Sequence, residues 1–243
     1  MGGRAVGPVI EVIALDGDDT LWHSEHLFVD TQDRFRDLVR PHVDLDDATL
    51  DERLLDCERR NLPLFGYGVK AFTLSLIETA IEVTEGRIPG GDLRAVLDLG
   101  KVLLDHPVEL LDGVREAVDV LTDRHRVMVL TKGDLLHQET KVARSGLAEL
   151  FWRVEIVSEK DAATYQRILD RHEVDPATFV MVGNSVRSDV LPVLAIGARA
   201  VHVPYSVTWA LEHAEPDPDR HDFPVLASLA ELPRCIDALD ATG

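Results

Sequence analysis

The stretch "VIALDGDDTLW", Val12–Trp22, decides the fold class of this 243-residue chain. It begins with apolar residues and then places three aspartates, Asp16, Asp18 and Asp19, within four positions. The apolar run with its lead-in, Val9–Leu15, predicts a short buried strand. Carboxylates that face each other at the end of such a strand repel, unless a cation lies between them or one is protonated. The pattern therefore predicts a strand that ends in a functional site.

The region that follows this strand has a sequence pattern typical of helices. It contains no comparable strand, and Gly or Pro separates its helical segments. The predicted helices are Ser24–Val39, Asp47–Leu62, Lys70–Thr84 and Asp92–Leu104. This region is therefore predicted to be all-helical.

From Asp112 onward, strands alternate with helices. The predicted strands are Arg126–Thr131, Arg153–Ser158, Thr178–Gly183 and Arg199–Pro204. The predicted helices are Gly113–Thr122, Leu135–Ser145, Ala162–His172, Val186–Ile196 and Leu229–Ala238, and the stretch "EPDPDRHD" is predicted to be a polar loop. Strands joined by helices of this length imply crossover connections and a parallel sheet. The predicted fold class is therefore α/β, with a Rossmann-like parallel sheet core.

Composition argues against several classes of partner. The net charge is 25 − 44 = −19, and so acidic a chain repels nucleic acid. No run of 18 apolar residues occurs, so no membrane span is expected, and the amino terminus lacks the apolar stretch of a secretory signal. The two cysteines, Cys57 and Cys235, lack metal-ligand spacing and are expected to be reduced thiols of a cytoplasmic protein.

Polar residues follow the predicted strands at the points where the strands end. Ligands of parallel sheets bind at the carboxyl ends of the strands, so these residues are expected to meet at one edge. They are Asp16 and Asp18 after the first strand, Thr131 and Lys132 at the second, Lys160 after the third, and Asn184 and Asp189 after the fourth. The sequence therefore predicts one site built from four strand ends.

The oxygen-bearing residues at this edge are of the kind that binds a hard cation. Asp16 and Asp18 are two positions apart, so an extended backbone points both side chains the same way. Asp189 and the amide oxygen of Asn184 add further oxygen donors. Such a set suits Mg²⁺, which is the expected cofactor.

Two further residues add groups that bind phosphate. Lys160 supplies fixed positive charge, and Thr131 supplies a hydroxyl donor. An oxygen-ligated cation, a lysine and a hydroxyl together form a site for a phosphoryl group. The expected partner is therefore a small phosphorylated metabolite.

At these positions the chain resembles the haloacid dehalogenase-like (HAD) hydrolase superfamily. The family pattern opens with an apolar strand ending in Asp-x-Asp-x-Thr, met here by Asp16, Asp18 and Thr20. A Ser or Thr, a Lys and an acidic stretch follow at later strand ends, met here by Thr131, Lys160 and the stretch from Asn184 to Asp189. The resemblance covers residues 9–204, and four motifs in order at strand ends make it specific.

The resemblance implies a role for each matching residue. Asp16 would be the nucleophile that forms an aspartyl-phosphate, and Asp18 the general acid and base. Mg²⁺ would be held by Asp16, the backbone carbonyl of Asp18, and Asp189. Thr131 and Lys160 would bind phosphoryl oxygens. These roles imply a Mg²⁺-dependent phosphatase of small phosphomonoesters.

The chain departs from the family pattern at the fourth motif. Asn184 stands where many relatives have Asp, so it can ligate the metal but adds no charge. Lys132 and Arg187 are extra positive groups near the motifs. They could offset phosphate charge or pair with Asp134 and Asp189, and the sequence leaves both open.

The helical region resembles the cap that the superfamily inserts after the first strand. Residues 23–105 are expected to form this cap, and residues 1–22 and 106–243 the catalytic core. Tyr67 and Lys70 lie at a loop-to-helix junction flanked by glycines. They are expected to contact the leaving group of the substrate, because caps in this superfamily close over the site and select substrates.

Other residues of the opening stretch are expected to be structural. Asp19 is expected to form a turn or a helix start, Thr20 to brace the loop, and Trp22 to pack. A haloacid dehalogenase, a phosphotransferase or mutase, and a non-catalytic binding module stay open as alternative functions. Asp18 argues against the dehalogenase, because a halide leaving group needs no proton. Asn184 favours the binding module, whereas the intact acids argue against it.

Overall fold

The computed structural model describes residues 9–214 and 223–242. The predicted polar loop "EPDPDRHD" and most of the amino-terminal lead lie outside these residues. Two compact units make up the chain. One comprises residues 1–23, 108–131 and 139–243, and the other comprises residues 24–107 and 132–138. We call them the sheet unit and the helical unit.

The sheet has five parallel strands in the order β3-β2-β1-β4-β5. The strands are β1 Val12–Leu15, β2 Arg126–Lys132, β3 Arg153–Val157, β4 Phe179–Gly183 and β5 Arg199–His202. The first strand is central, because Val12 pairs with Arg126 on one side and with Phe179 on the other. The predicted α/β fold with a Rossmann-like parallel sheet is confirmed.

Alternate residues of β1 point to opposite faces of this sheet. Ile13 and Leu15 belong to an apolar cluster that includes Val118 and Ile236. Val12 and Ala14 belong to a second cluster, on the other face. Because both faces are buried, the strand is an unbroken apolar run rather than an alternating one.

Helices cover the sheet and build the helical unit. They are α1 Glu25–Val39, α2 Asp47–Phe65, α3 Val69–Val83, α4 Gly90–Leu104, α5 Val114–Thr122, α6 Leu135–Arg144, α7 Ala162–His172, α8 Leu191–Ala195 and α9 Leu232–Thr242. The first four enclose an apolar core of their own, which includes Phe35, Leu54 and Leu76. Among residues 9–214 and 223–242, no helix combines the length and apolar character needed to cross a membrane.

Three predicted helices differ from the structure. The one predicted over Leu229–Ala238 is a 3-10 turn, Leu229–Glu231, followed by α9. The helix predicted to end at Leu62 continues through Pro63 to Phe65 and is capped by Gly66, whose φ of 74° is readily adopted by glycine. The helix predicted over Val186–Ile196 is instead a π-helical turn, Val186–Val190, followed by α8. A π-turn is wider than an α-helical turn and is frequent at functional sites.

Candidate active site

The nucleophile predicted from the sequence lies directly after the central strand. Its backbone N–H donates to the carbonyl of Val182 at 2.9 Å, which holds Asp16 against the end of β4. Lys160 Nζ lies 2.6 Å from Asp16 Oδ1 and also 2.6 Å from Asp189 Oδ1. All three side chains are buried. Three of the predicted strand ends therefore meet through one lysine.

This burial changes the acid–base behaviour of the three groups. Burial raises the pKa of Asp16 from 3.8 to about 7, opposed by the attraction of Lys160 and reinforced by repulsion from Asp189. For Lys160, burial alone would lower the pKa, but the attraction of the two carboxylates outweighs it and raises the pKa. Lys160 is therefore charged, and it lies between the carboxyl groups of Asp16 and Asp189.

Asp189 is fixed by the π-turn that carries it. Its Oδ2 accepts a hydrogen bond from the backbone N–H of Ser185 at 2.9 Å, so the carboxylate is bound to the backbone of the turn that carries it. A Cβ on Gly183 would lie 2.2 Å from this oxygen. Only glycine at that position therefore leaves room for the observed Asp189 side chain.

A second carboxylate supports the same turn from outside. The hydroxyls of Ser185 and Ser188 donate to Glu212 Oε2 at 2.7 and 2.6 Å. The Tyr165 hydroxyl donates to the carbonyl of Ser188 at 2.9 Å. Glu212 and Tyr165 therefore restrain the segment that presents Asp189.

Asp18 belongs to a tight turn that also holds its carboxylate. Asp19 has a φ of 60°, and its N–H donates to the carbonyl of Trp22 at 2.8 Å, in agreement with the predicted turn role. The indole N–H of Trp22 donates to Asp18 Oδ1 at 2.7 Å. Lys141 Nζ, from α6, lies 2.7 Å from the same oxygen. Trp22 is fully buried as expected, but it also orients Asp18.

The turn packs closely against the end of β2. A Cβ on Gly17 would lie 2.8 Å from the Trp22 ring and 3.2 Å from Thr131 Oγ1. Any side chain at this position would push the loop away from both. Thr131 therefore lies beside the loop that carries Asp16 and Asp18, as predicted.

Asn184 follows β4 and faces the same loop. Its Oδ1 lies 3.5 Å from the Thr20 hydroxyl, which donates to it, and its backbone carbonyl accepts a hydrogen bond from His202 at 3.0 Å if Nε2 is protonated. Thr20 thus braces the first motif against the fourth, in keeping with its expected role.

The donors at this site are compatible with Mg²⁺. Within the described part of the chain, no group of three or more His, Cys, Asp or Glu side chains is arranged to hold a metal ion. Protein-bound Mg²⁺, however, commonly uses only one or two carboxylates together with water. Asp16 and Asp189 provide two carboxylates, and the Asp18 carbonyl and the Asn184 amide are neutral oxygen donors of the preferred kind.

Three residues predicted to bind substrate lie in the helical unit. Lys132 Nζ is 4.1 Å from the ring centroid of Tyr67, a cation–π distance. Lys70 Nζ lies 2.9 Å from Asp134 Oδ1, and this pairing lowers the pKa of Asp134 although burial opposes it. Asp134 thus pairs with Lys70. Arg187 donates to the carbonyl of Leu211, and Asp189 pairs with Lys160.

The sequence did not indicate three residues that hold the site together. Lys141 lies inside a predicted helix, and Glu212 lies beyond the last strand, so neither follows a strand end. The indole N–H of Trp22 was interpreted only as part of a packing residue. Lys141 is 123 positions from its partner Asp18, and Glu212 is 27 positions from its partner Ser185. A single sequence carries no signal of such long-range pairing.

Comparison with known proteins gives the family. The haloacid dehalogenase-like hydrolase model matches residues 10–197. The chain belongs to the HAD-like hydrolase family. It is therefore an enzyme of the hydrolase class, as predicted. Members of this family commonly use Mg²⁺.

Solved structures of this family share the fold. A haloacid dehalogenase-like family hydrolase from Xanthomonas campestris is 42% identical, with a TM-score of 0.87, and the match covers 97% of this chain and 98% of that one. A 2-haloacid dehalogenase from Pseudomonas syringae is 23% identical, with a TM-score of 0.63 and coverage of 95% and 99%. A predicted phosphoglycolate phosphatase from Haemophilus somnus is 15% identical, with a TM-score of 0.62 and coverage of 93% and 97%. No curated protein matches the chain.

Proposed function

We propose that this HAD-like hydrolase is a cytoplasmic Mg²⁺-dependent phosphatase of small phosphomonoesters. The observation that carries the proposal is a second carboxylate, Asp18, two residues after Asp16 and held by two hydrogen-bond donors. A phosphomonoester needs such an acid, because its alkoxide leaving group must take up a proton. The acidic surface and the free cysteines, Cys57 and Cys235, support a cytoplasmic protein that does not bind nucleic acid.

The first chemical step transfers the phosphoryl group to the enzyme. A carboxylate oxygen of Asp16 forms a bond to phosphorus while the bond from phosphorus to the leaving oxygen breaks. The proton of the Asp18 carboxyl passes to that leaving oxygen and the alcohol departs. Thr131 and Lys160 hold the phosphoryl oxygens, and Lys160 offsets the repulsion between the nucleophile and the phosphoryl group.

The second step returns the enzyme to its starting state. Asp18, now a carboxylate, takes a proton from water as the water oxygen attacks phosphorus. The bond between phosphorus and Asp16 breaks, which releases inorganic phosphate. The acid of the first step thus serves as the base of the second, and no other proton carrier is needed.

The proposed magnesium ligands are Asp16, the Asp18 carbonyl, Asp189 and Asn184. When bound, Mg²⁺ would neutralise the nucleophile and orient the phosphoryl group. Burial raises the pKa of Asp16, and a cation held beside it would favour the ionised carboxylate.

The helical unit is proposed to act as a cap that selects the leaving group. Tyr67 and Lys132 are in cation–π contact, which limits the positions that the Lys132 ammonium group can take. Together with Lys70 they could recognise a polar leaving group. A Lys70→Ala variant with unchanged kinetics on the true substrate would contradict this role.

The alternative function is that of a haloacid dehalogenase. The fold is similar to that of the 2-haloacid dehalogenase from Pseudomonas syringae, but this similarity concerns the fold alone. The deciding experiment is a screen over phosphorylated metabolites and 2-haloacids, with Mg²⁺ and with a chelator. We expect phosphate release that requires Mg²⁺ and no halide release. Halide release without phosphate release would replace the phosphatase with a dehalogenase.

A phosphotransferase of the same family would use the same first step. It differs only in the acceptor, which is an alcohol instead of water. The distribution of phosphoryl groups between water and added sugars therefore distinguishes the two, and we expect water to be the main acceptor.

A further inference from the structure

The carboxylate of Asp18 is held by two donors that come from different parts of the chain. The Trp22 indole N–H and Lys141 Nζ both bind Oδ1, each at 2.7 Å. Trp22 is part of the same tight turn, whereas Lys141 lies on α6, after the second strand. The carboxylate is thus tied both to its own loop and to a separate helix.

Lys141 differs from the surface lysines of this acidic protein. Its side chain is 13% exposed, and that of Asp18 is 31% exposed. Lys101, by comparison, is 53% exposed in its pair with Asp98. Exposed pairs of the latter kind contribute little, because water screens the charges and both side chains lose freedom. Burying a lysine is costly unless its charge is paired. The pairing with Asp18 therefore accounts for the position of Lys141.

We propose that Lys141 is a positioning residue for the proton transfer that Asp18 performs. The inference rests on the proposed phosphatase function and adds a residue to it. Two donors on one oxygen restrict rotation of the Asp18 carboxylate, which fixes the direction in which it faces the leaving group. Misplacement of a reacting group by about 1 Å can cost on the order of 100-fold in rate.

This role predicts that the effect of Lys141 depends on the leaving group. The leaving group of an alkyl phosphate is a basic alkoxide, which needs the proton from Asp18. The leaving group of a nitrophenyl phosphate is a stable nitrophenolate anion, which needs that proton far less. Positioning of Asp18 therefore matters for the first substrate and much less for the second, whereas general damage to the site would slow both equally.

The test compares Lys141→Met with the parent enzyme on these two substrates. We expect kcat to fall about tenfold or more on the alkyl phosphate, with a smaller fall on the nitrophenyl phosphate and little change in KM. Lys141→Arg keeps a charged donor and should recover most of the lost rate. Arg144→Met removes a positive charge from the same helix and is the matched control, with an unchanged ratio between the two substrates.

A second measurement separates this inference from the proposed function. The chain has three tryptophans, so the indole N–H signal of Trp22 can be assigned by NMR. In Lys141→Met we expect this signal to shift more than those of Trp152 and Trp209, because Asp18 can now turn. Equal rate losses on both substrates, or an unmoved Trp22 signal, would overturn the positioning role. Absence of phosphatase activity in the parent, with the Trp22 shift present, would overturn the function and leave the restraint on Asp18 standing.

Discussion

A charged cluster of the sheet unit and an ion pair of the helical unit lie in opposite environments. In the sheet unit, the side chains of Lys160, Asp16 and Asp189 are 1%, 11% and 0% exposed. In the helical unit, the paired Arg94 and Asp98 are 66% and 47% exposed. Paired acidic and basic side chains are thus withdrawn from water in the first case and solvated in the second.

This difference shows which charges are retained for a purpose other than stability. Exposed pairs contribute about 0–1 kcal/mol each and keep an acidic surface solvated. A buried pair costs desolvation that the attraction between its members only partly offsets. A buried cluster with more acid than base is therefore an expensive arrangement, and a chemical role accounts for it best.

The largest effect is expected from removal of the proposed nucleophile. Asp16→Asn keeps the size of the side chain but removes its negative charge and nucleophilicity, so phosphate release should fall by about 10³-fold or more. Asp98→Asn is the matched control, since it makes the same change in an exposed pair. Phosphate assays on both variants, with circular dichroism as a check of folding, test the contrast. Parental activity in Asp16→Asn would refute the mechanism.

The next largest effect is a loss of stability, expected on removal of the lysine of the same cluster. Lys160→Met leaves Asp16 and Asp189 facing each other without a positive partner, which should cost about 3–5 kcal/mol of unfolding free energy. Arg94→Met in the helical unit should cost less than about 1 kcal/mol. Urea unfolding of both variants measures the difference. Equal losses would show that burial does not distinguish the two kinds of pair.

The raised pKa of Asp16 predicts a pH dependence of stability in the absence of metal. Between pH 3.8 and about 7 the folded state keeps a proton that the unfolded state has released. The unfolded state then binds fewer protons, so this contribution to stability falls as the pH rises through the window. A shift of this size corresponds to an upper limit of about 4 kcal/mol.

Asp16→Asn isolates that contribution from those of other titrating groups. With chelator present, the variant should lose less stability than the parent between pH 4 and pH 8, and it should be the more stable of the two at pH 8. Thermal unfolding across this range measures both. Parallel curves for the two proteins would contradict the raised pKa.

A smaller effect is expected at the outer support of the π-turn. Glu212→Ala removes the acceptor of two serine hydroxyls, which should cost about 1.5–3 kcal/mol and loosen Asp189. Glu212→Gln keeps an acceptor oxygen and should cost less. Urea unfolding of both variants, with phosphate assays, tests this order. A Gln variant as unstable as the Ala variant would show that charge, not the acceptor, holds the turn.

The sequence predicted the parts of the molecule whose signals are local. The apolar run at β1 and the strands after Asp112 gave the parallel sheet, because a buried strand needs only a short run of apolar residues. The convergence of Asp16, Lys160 and Asp189 followed from the rule that strand ends share an edge. Their assigned chemical roles stay predictions.

The remaining features depend on contacts that no local pattern encodes. Lys141 reaches Asp18 across 123 positions of the chain. The π-turn at Val186–Val190 looks like ordinary helix in sequence, since its residues are compatible with either form. The wider turn is accompanied by a hydrogen bond from the Ser185 N–H to the Asp189 carboxylate.

The central position of β1 has a consequence for synthesis of the chain. This strand leaves the ribosome first, but its neighbours are β2 and β4, and β4 ends only at Gly183. At about 5–20 residues per second, the strand waits roughly 10–30 s for its second partner. During that interval its apolar residues and unpaired backbone are open to aggregation or to chaperones. Of the five strands, the one that leads to the proposed nucleophile thus waits longest for its second partner.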